Sequence, residues 1–252
     1  MINYGILGIV QGLTEFLPVS SSGHLVIMQQ LLRMRGLELE LAVVVHLGTC
    51  LAVCIFFRKD LVKLLRDRRR IGLVLLVTAV TGAIGILGKG FFERLFTSIH
   101  ATAGALCVTG GILIASKKYN NASRQKLTVQ DAGVLGVVQG LAIIPGISRS
   151  GITISTLLFR GVSRRESFTF SFLASIPAVL GAAVLEFADM DCACTVSDNL
   201  GVFAVAFTAS FISGLFALWL LRLMMQRAVF HYFGYYCLFV GVITFIMVSI
   251  GK

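Results

Sequence analysis

Long apolar segments dominate the chain and are separated by short polar stretches. Six of these segments are long enough to cross about 30 Å of hydrocarbon as helices. They are apolar on all faces, so helical periodicity does not define their ends, and they lack the alternation of a transmembrane barrel. The pattern therefore predicts an all-α polytopic membrane protein. The predicted spans are 40–57, 72–90, 100–116, 167–187, 200–221 and 231–250.

Two further apolar segments are shorter, and each ends at a Pro-containing break. Pro18 and Pro145 disfavour helical conformation at the residue before them, and the serines that follow are good helix N-caps. Because each segment restarts as a second short piece, we predict two broken, re-entrant helix pairs. The pieces are 4–19 with 24–33, and 131–144 with a short piece ending at Phe159.

The two breaks belong to an internal repeat. Residues 8–13, Gly-Ile-Val-Gln-Gly-Leu, match residues 136–141, Gly-Val-Val-Gln-Gly-Leu. Each half, about 1–118 and about 129–252, contains one broken re-entrant pair and three transmembrane helices. Three crossings end on the opposite side of the membrane, so the second half begins there and the halves have inverted topology. We expect one membrane domain, 1–252, in which the two breaks meet near the midplane.

The basic residues support this arrangement. The net charge is +10, yet only 13% of residues are charged and 57% are hydrophobic, which leaves no room for a sizeable soluble domain. Sixteen Lys or Arg residues fall in loops predicted on one side, and five on the other. This bias indicates cytoplasmic loops and external termini in the cell membrane rather than a nucleic-acid partner. The basic loops are 58–70, 117–128, 160–166 and 222–229, and the loop 188–198, without a basic residue, falls outside.

Arg149 is an ionisable residue at membrane depth, directly after the Pro145-Gly146 break. Such a residue costs roughly 3 kcal/mol on insertion scales and is functional by default. A helix that begins beside it directs its unpaired backbone N–H groups at one spot next to the guanidinium, and such a spot is a typical phosphate site. The alternative is a kinked helix from which Arg149 reaches the lipid surface.

The first break supplies groups that complement Arg149. Gln11 and Glu15 are four residues apart and share a helix face, and three serines and His24 follow Pro18. A structural Glu15–Arg149 ion pair between the repeats is the simpler alternative to a catalytic set. His46, His100 and His231 lack comparable neighbours, and we expect structural roles for them. The candidate set is Gln11, Glu15, Ser20, Ser21 and His24 from one half, and Ser148, Arg149, Ser150 and Thr153 from the other.

At these residues the chain resembles the undecaprenyl-diphosphate phosphatase family of the bacitracin-resistance type. The matching motifs are Gln-Gly-Leu-Thr-Glu at 11–15, Pro-Val-Ser-Ser-Ser-Gly-His at 18–24 and Pro-Gly-Ile-Ser-Arg-Ser-Gly at 145–151, with residues 170–178 also similar. The resemblance covers essentially the whole chain. It implies a hydrolase that removes the terminal phosphate of a C55 polyprenyl diphosphate and returns the monophosphate carrier lipid to cell-wall synthesis.

The resemblance also implies roles for the residues. It implies that the position of Gln11, Glu15, the serine and histidine after the first break, and Ser148-Arg149 are catalytic. Within this set we expect Glu15, Ser21, His24 and Arg149 to be catalytic. The expected substrate-binding residues are Gln11, Ser20, Ser148, Ser150 and Thr153. The resemblance implies a divalent cation, Mg²⁺ or Ca²⁺, at Glu15 with Gln11. Many members carry glutamate at the position of Gln11, and an amide is a weaker metal ligand and no base, so more weight falls on Glu15.

Several alternatives stay open at this level. The nucleophile is Ser21, His24 or a water molecule. Inverted repeats with broken helices are also a transporter architecture, so a polyprenyl-phosphate transporter or flippase is the main rival, and an inactive paralogue is another. The expected partners are a polyprenyl diphosphate and the bilayer, and the sequence leaves open whether the chain forms a homodimer.

Overall fold

The computed structural model describes residues 2–24, 38–96, 98–119, 121–188 and 200–250. These residues form α-helices joined by short turns, and one 3₁₀ turn follows α6 at Lys117–Tyr119. The all-α prediction is confirmed. The helices are α1 (Ile2–Phe16), α2 (Glu38–Phe56), α3 (Arg58–Arg66), α4 (Arg68–Leu87), α5 (Lys89–Phe96), α6 (Ile99–Ser116), α7 (Val129–Leu141), α8 (Arg149–Phe159), α9 (Arg164–Ala188), α10 (Leu200–Gln226) and α11 (Tyr232–Ile250).

Five of the described helices, α4, α6, α9, α10 and α11, are long and apolar enough to cross a membrane. α2 joins α3 at a bend of 76°, and this pair counts as a sixth span if it is taken together. Each predicted span is thus present as a helix. The predicted loop at 58–70 is wrong, because α3 occupies most of it. Leu61 and Leu64 lie three residues apart on the side of α3 that packs on the core, which holds this basic segment in helical form.

The second broken pair is re-entrant, as predicted. α7 ends at Leu141, and turns continue the chain through Ile144 to the Pro145 break. α8 then begins at Arg149 and ends at Phe159. Arg160, which caps the end of α8, forms an ion pair with Asp131 in the first turn of α7. Because the end of α8 lies beside the start of α7, the pair returns to the side from which it entered.

The first broken pair is described only in part. α1 ends at Phe16, the chain turns through residues 17–20, and helical structure restarts at residues 21–24. The break is therefore where the sequence places it. The predicted continuation to residue 33 lies outside the described residues, as does most of the predicted external loop 188–198.

The first helix of each half packs against a helix of the other half. α1 packs against α10 of the second half, and α7 packs against α4 of the first. A Cβ atom added to Gly8 would lie 2.5 Å from the Ala206 carbonyl oxygen, and one added to Gly136 would lie 3.1 Å from that of Val77. Gly8 and Gly136 are equivalent repeat positions, so equivalent glycines allow equivalent close contacts. A repeat related by a pseudo-twofold axis predicts such reciprocal packing.

Helix direction agrees with inversion. Arg70 at the start of α4 pairs with Glu166 at the start of α9, so these two helices begin on the same side. α2 ends on that side too, since only the short α3 separates it from α4. α2 and α9, the first spans of their halves, therefore cross the molecule in opposite directions.

An aromatic cluster fixes the end of α1 between α2 and α9. The ring of Phe16 packs edge-on against Phe172 at 5.5 Å, and Phe57 stacks on Phe172 at 5.8 Å. Phe16 is the residue directly after Glu15. The packing of Phe16 therefore fixes the position of the last turn of α1, in which Glu15 is also buried.

Candidate active site

The Glu15 carboxylate is the centre of the site. Its side chain is only 6% exposed, and it receives hydrogen bonds from three different side chains. Ser21 Oγ donates to Oε2 at 2.6 Å, and Gln11 Nε2 donates to the same oxygen at 3.0 Å. Arg149 Nη2 pairs with the other oxygen, Oε1. The structure thus joins residues from both breaks, as the repeat predicted, and the Glu15–Arg149 ion pair is present.

Arg149 is positioned by the first turn of α8. Ser148 is the N-cap, and its hydroxyl accepts from the Gly151 N–H at 3.2 Å. Its own N–H donates to Thr109 Oγ1 on α6 at 3.1 Å, and Thr109 donates to the Gly146 carbonyl at 3.1 Å. Gly146 has φ +94°, and a Cβ there would lie 2.2 Å from the Thr102 carbonyl oxygen, so only glycine fits. These contacts lock the break against α6.

Ser20 holds the first break in an uncommon conformation. Its φ is +69°, the left-handed region, which costs a residue with a side chain roughly 1–2 kcal/mol. Ser20 Oγ lies 3.3 Å from Ser22 Oγ. The turn at Ser20 directs Ser21 back toward Glu15. Strain of this kind persists where surrounding packing enforces it and is typical of functional sites.

His24 lies in the site region by sequence but its side chain is directed elsewhere. Its Nδ1 is 2.8 Å from the Ser20 carbonyl oxygen, and its Nε2 is 2.8 Å from the Tyr236 hydroxyl on α11. The imidazole also stacks on the Tyr236 ring. His24 therefore contacts neither Glu15 nor Arg149, and it supports the strained turn instead.

Two predicted substrate-binding residues are also directed into the protein. Thr153 Oγ1 lies 2.6 Å from Ser171 Oγ on α9 and donates to the Arg149 carbonyl at 2.6 Å. Ser150 is buried, and its hydroxyl lies 3.3 Å from that of Ser148. These contacts fix α8 and do not reach the cavity described below.

His46 is the residue of the site that the sequence did not identify. Its Nδ1 lies 3.0 Å from Gln11 Nε2 and 3.8 Å from Glu15 Oε2. The expectation that His46 lacks neighbours comparable to those of His24 is therefore wrong. The available signal was a polar residue inside the apolar span 40–57, the same signal that singled out Arg149.

The two repeats contribute different charged groups to the site. Gln139 is the repeat equivalent of Gln11, and it donates to Thr81 Oγ1 at 3.2 Å. The equivalent of Glu15, however, is Ile143. The two halves thus share a scaffold, while the carboxylate comes from the first half and the guanidinium from the second.

A cavity of about 760 Å³ opens from these groups. One end is polar and includes Glu15, Ser21, His46, Ser148 and Arg149. Its other walls are mostly apolar and come from the later parts of α4 and α9, from the end of α7 and the turn after it, and from Phe96 of α5. The cavity therefore suits an amphipathic ligand with an anionic head and an apolar tail.

The family resemblance implies a divalent cation, so the side chains of the site should include ligands for one. The described residues contain no group of three or more His, Cys, Asp or Glu side chains suited to a metal. The set offers the Glu15 carboxylate, but Gln11 directs its amide nitrogen at that carboxylate, and its buried Oε1 has no partner in the described structure and does not line the cavity. One carboxylate with phosphate oxygens and water suits Mg²⁺, whereas Ca²⁺ takes six to eight oxygen ligands. The donors thus fit Mg²⁺ better than Ca²⁺.

Comparison with known proteins shows which family the chain resembles over its length. The family described as bacitracin resistance protein BacA matches residues 4–243. A protein named undecaprenyl-diphosphatase from Carboxydothermus hydrogenoformans is 41% identical over 254 residues, which cover 98% of this chain and 97% of the relative. Proteins of the same name from Halothermothrix orenii and Methanosphaera stadtmanae are 39% and 35% identical. Those matches cover 97% and 96% of this chain, and 96% of each relative.

Proposed function

The chain belongs to the bacitracin resistance protein BacA family, and from this premise we propose that it is an undecaprenyl-diphosphatase. It converts undecaprenyl diphosphate and water to undecaprenyl phosphate and inorganic phosphate. The observation that carries the proposal is the contact of Glu15 with both Ser21 and Arg149 at the polar end of the cavity. The relatives' names favour hydrolysis over the transporter alternative.

The cavity accounts for recognition of a polyprenyl diphosphate. Its polar end offers the Arg149 guanidinium and the N-terminal turn of α8, which attract phosphate oxygens. Its apolar walls, such as Ile86 and Leu185, suit the isoprenoid units nearest the head group. The rest of a C55 chain extends into lipid.

Substrate binding changes the partner of Arg149. In the structure its guanidinium pairs with Glu15 Oε1. A terminal phosphate carries more charge than one carboxylate and presents several oxygens to the fork of donors. We infer that the phosphate takes over Arg149, which frees Glu15 to accept a proton from Ser21.

Ser21 is the nucleophile in this scheme. Its Oγ attacks the terminal phosphorus, its proton passes to Glu15 Oε2 over the 2.6 Å hydrogen bond, and the bond from phosphorus to the bridging oxygen breaks. Undecaprenyl phosphate leaves, and water then hydrolyses the phosphoserine, returning the proton to Ser21. A phosphate monoester is a good leaving group, so the step does not need an acid at His24.

Mg²⁺ is the cation we propose, and the Glu15 carboxylate at the polar end of the cavity would hold it. It would neutralise negative charge on the diphosphate. Arg149 and the α8 N–H groups supply the protein's own stabilisation of that charge. We place the enzyme in the cytoplasmic membrane, where it returns the carrier lipid to cell-wall synthesis.

The test is phosphate release from undecaprenyl diphosphate by the purified protein in detergent, with and without a chelator. Transport has no meaning in detergent, so release supports the phosphatase. Failure to release phosphate, with Mg²⁺ present and the protein folded, would overturn the proposal and favour the transporter or an inactive paralogue. Loss of release with chelator, restored by Mg²⁺, supports the cation.

A further inference from the structure

His46 presents one ring nitrogen to the cavity, and we propose that its Nε2–H binds a phosphate oxygen of the substrate. The inference rests on the proposed function, because it assigns another binding group to the same site. Nothing in the sequence motifs singles out this residue. It comes from α2, which contributes none of the predicted site residues.

The orientation of the Gln11 amide fixes which nitrogen of His46 carries the proton. Gln11 Nε2 lies 3.0 Å from Glu15 Oε2 and 3.0 Å from His46 Nδ1. With the amide reversed, its oxygen would face the Glu15 carboxylate, and two acceptors would repel each other. The two N–H bonds of Gln11 are therefore directed at Glu15 and His46. Since Gln11 is the donor, His46 Nδ1 accepts, and the proton of the neutral ring is on Nε2.

The position of the ring directs that proton toward the ligand. The Nδ1 edge faces Gln11, which is fully buried, while 34% of the His46 side chain is exposed and lines the cavity. Ser21 and Arg149 line the same end of the cavity. In the part of the chain that the structure describes, Nε2 has no hydrogen-bond partner. A donor without an acceptor, at the anion-binding end of a cavity, is suited to a phosphate oxygen.

A supporting role is the alternative that a test has to exclude. In that role His46 would serve only as the acceptor for Gln11 through Nδ1, and its Nε2 would be irrelevant. The two roles depend on opposite edges of the ring. Amide side chains separate them, because the glutamine amide nitrogen reaches the position of Nε2 and the asparagine amide reaches the position of Nδ1.

The experiment compares His46→Ala, His46→Gln and His46→Asn in the full-length protein in detergent. The control is His100→Ala, since His100 packs against Phe245 and does not line the cavity. The readouts are kcat and KM for phosphate release, and the thermal stabilisation that added undecaprenyl phosphate produces. Loss of one hydrogen bond to a charged group lowers kcat/KM about ten- to hundredfold in His46→Ala. His46→Gln recovers most of that loss, and His46→Asn does not.

Two results would overturn the inference. One is an unchanged kcat/KM in His46→Ala, and the other is better rescue by asparagine than by glutamine, which assigns the role to Nδ1. If the wild-type protein releases no phosphate, the proposed function fails, and the inference is read from binding alone. In that case equal stabilisation of wild type and His46→Ala by undecaprenyl phosphate excludes the contact. Smaller stabilisation of His46→Ala, restored in His46→Gln, supports it.

Discussion

Replacing Glu15 by glutamine separates a catalytic carboxylate from a structural ion pair. The amide keeps the shape of the side chain but loses its charge and replaces one acceptor oxygen by a donor. Whichever way it turns, its NH₂ faces a donor, either the Arg149 guanidinium on one side or Gln11 Nε2 on the other. Glu15→Gln therefore removes the base proposed for Ser21 and weakens the partner of Arg149 in one change.

Both effects have magnitudes that the structure bounds. Breaking a buried ion pair by removing one partner costs about 3–5 kcal/mol. The Arg149 side chain is 23% exposed, so water compensates it in part, and we expect a loss of roughly 2 kcal/mol in unfolding free energy. Loss of a general base lowers the rate about 10²- to 10⁴-fold. The fall in kcat is thus far larger than a modest loss of stability explains.

Asp131→Asn is the matched control. Asp131 is fully buried and pairs with both Arg124 and Arg160, but it lies at the start of α7, away from the cavity. Both variants should lower the thermal unfolding temperature in detergent. At a temperature where both stay folded, only Glu15→Gln should lose phosphate release. If Glu15→Gln stays active and loses only stability, or if Asp131→Asn loses kcat equally, the catalytic assignment of Glu15 is refuted.

Three further outcomes follow from the contacts. Arg149→Lys keeps the charge but loses the planar fork, so kcat/KM should fall at least about tenfold, and near-normal turnover would favour a simple positive field. Acid quench of the working enzyme should trap phosphate on Ser21, and Ser21→Ala should abolish it; direct entry of solvent oxygen without a phosphoenzyme would make water the nucleophile. Burial raises the pKa of the Asp131 carboxyl, but hydrogen bonds from Arg124 and Arg160 lower that pKa more, to below its ordinary value. Its stabilising contribution is therefore present above about pH 4 and lost as pH falls further, and thermal unfolding between pH 3 and 7 should show a shallower acid loss in Asp131→Asn.

The sequence predicted the parts of the fold that depend on composition and on strong local signals. Long apolar runs become helices because the bilayer leaves backbone groups no other partners. Pro18 and Pro145 end helices for steric reasons, and both breaks are found where they stand. The sequence also indicated that Glu15 and Arg149 lie close together, because a buried charge needs a partner of opposite sign.

The residues that the sequence misplaced depend on helix rotation and on tertiary packing. α2 is apolar on nearly every side, so its sequence does not indicate which face packs toward α1. For this reason the sequence did not place His46 beside Gln11 and Glu15. His24 is close to Ser21 along the chain, yet the turn at Ser20 directs its ring toward Tyr236 on the last helix. The His24–Tyr236 contact joins residues 212 positions apart, and a local sequence pattern does not predict such a contact.

The direction in which the cavity extends indicates the side of the membrane from which the site is reached. The starts of α4 and α9 lie together, since Arg70 pairs with Glu166, and this end carries the basic cluster at 68–70. The cavity walls come instead from the later parts of the same helices, at 81–86 and 177–185. The cavity therefore extends away from the basic end. Because basic segments stay cytoplasmic, the cavity should open toward the outside.

Cysteine labelling in intact cells tests this orientation, in a background from which the six native cysteines have been removed. Ser22 lines the cavity but has no assigned chemical role, so Ser22→Cys should react with a membrane-impermeant thiol reagent added outside. Arg68→Cys, at the exposed start of α4, should react only after the cells are opened. A bound polyprenyl phosphate should slow the reaction of Ser22→Cys and leave that of Arg68→Cys unchanged, since only the first lies beside the proposed phosphate site. The opposite pattern of labelling would invert the topology, and it would require the diphosphate to reach Glu15 and Arg149 from the cytoplasmic leaflet.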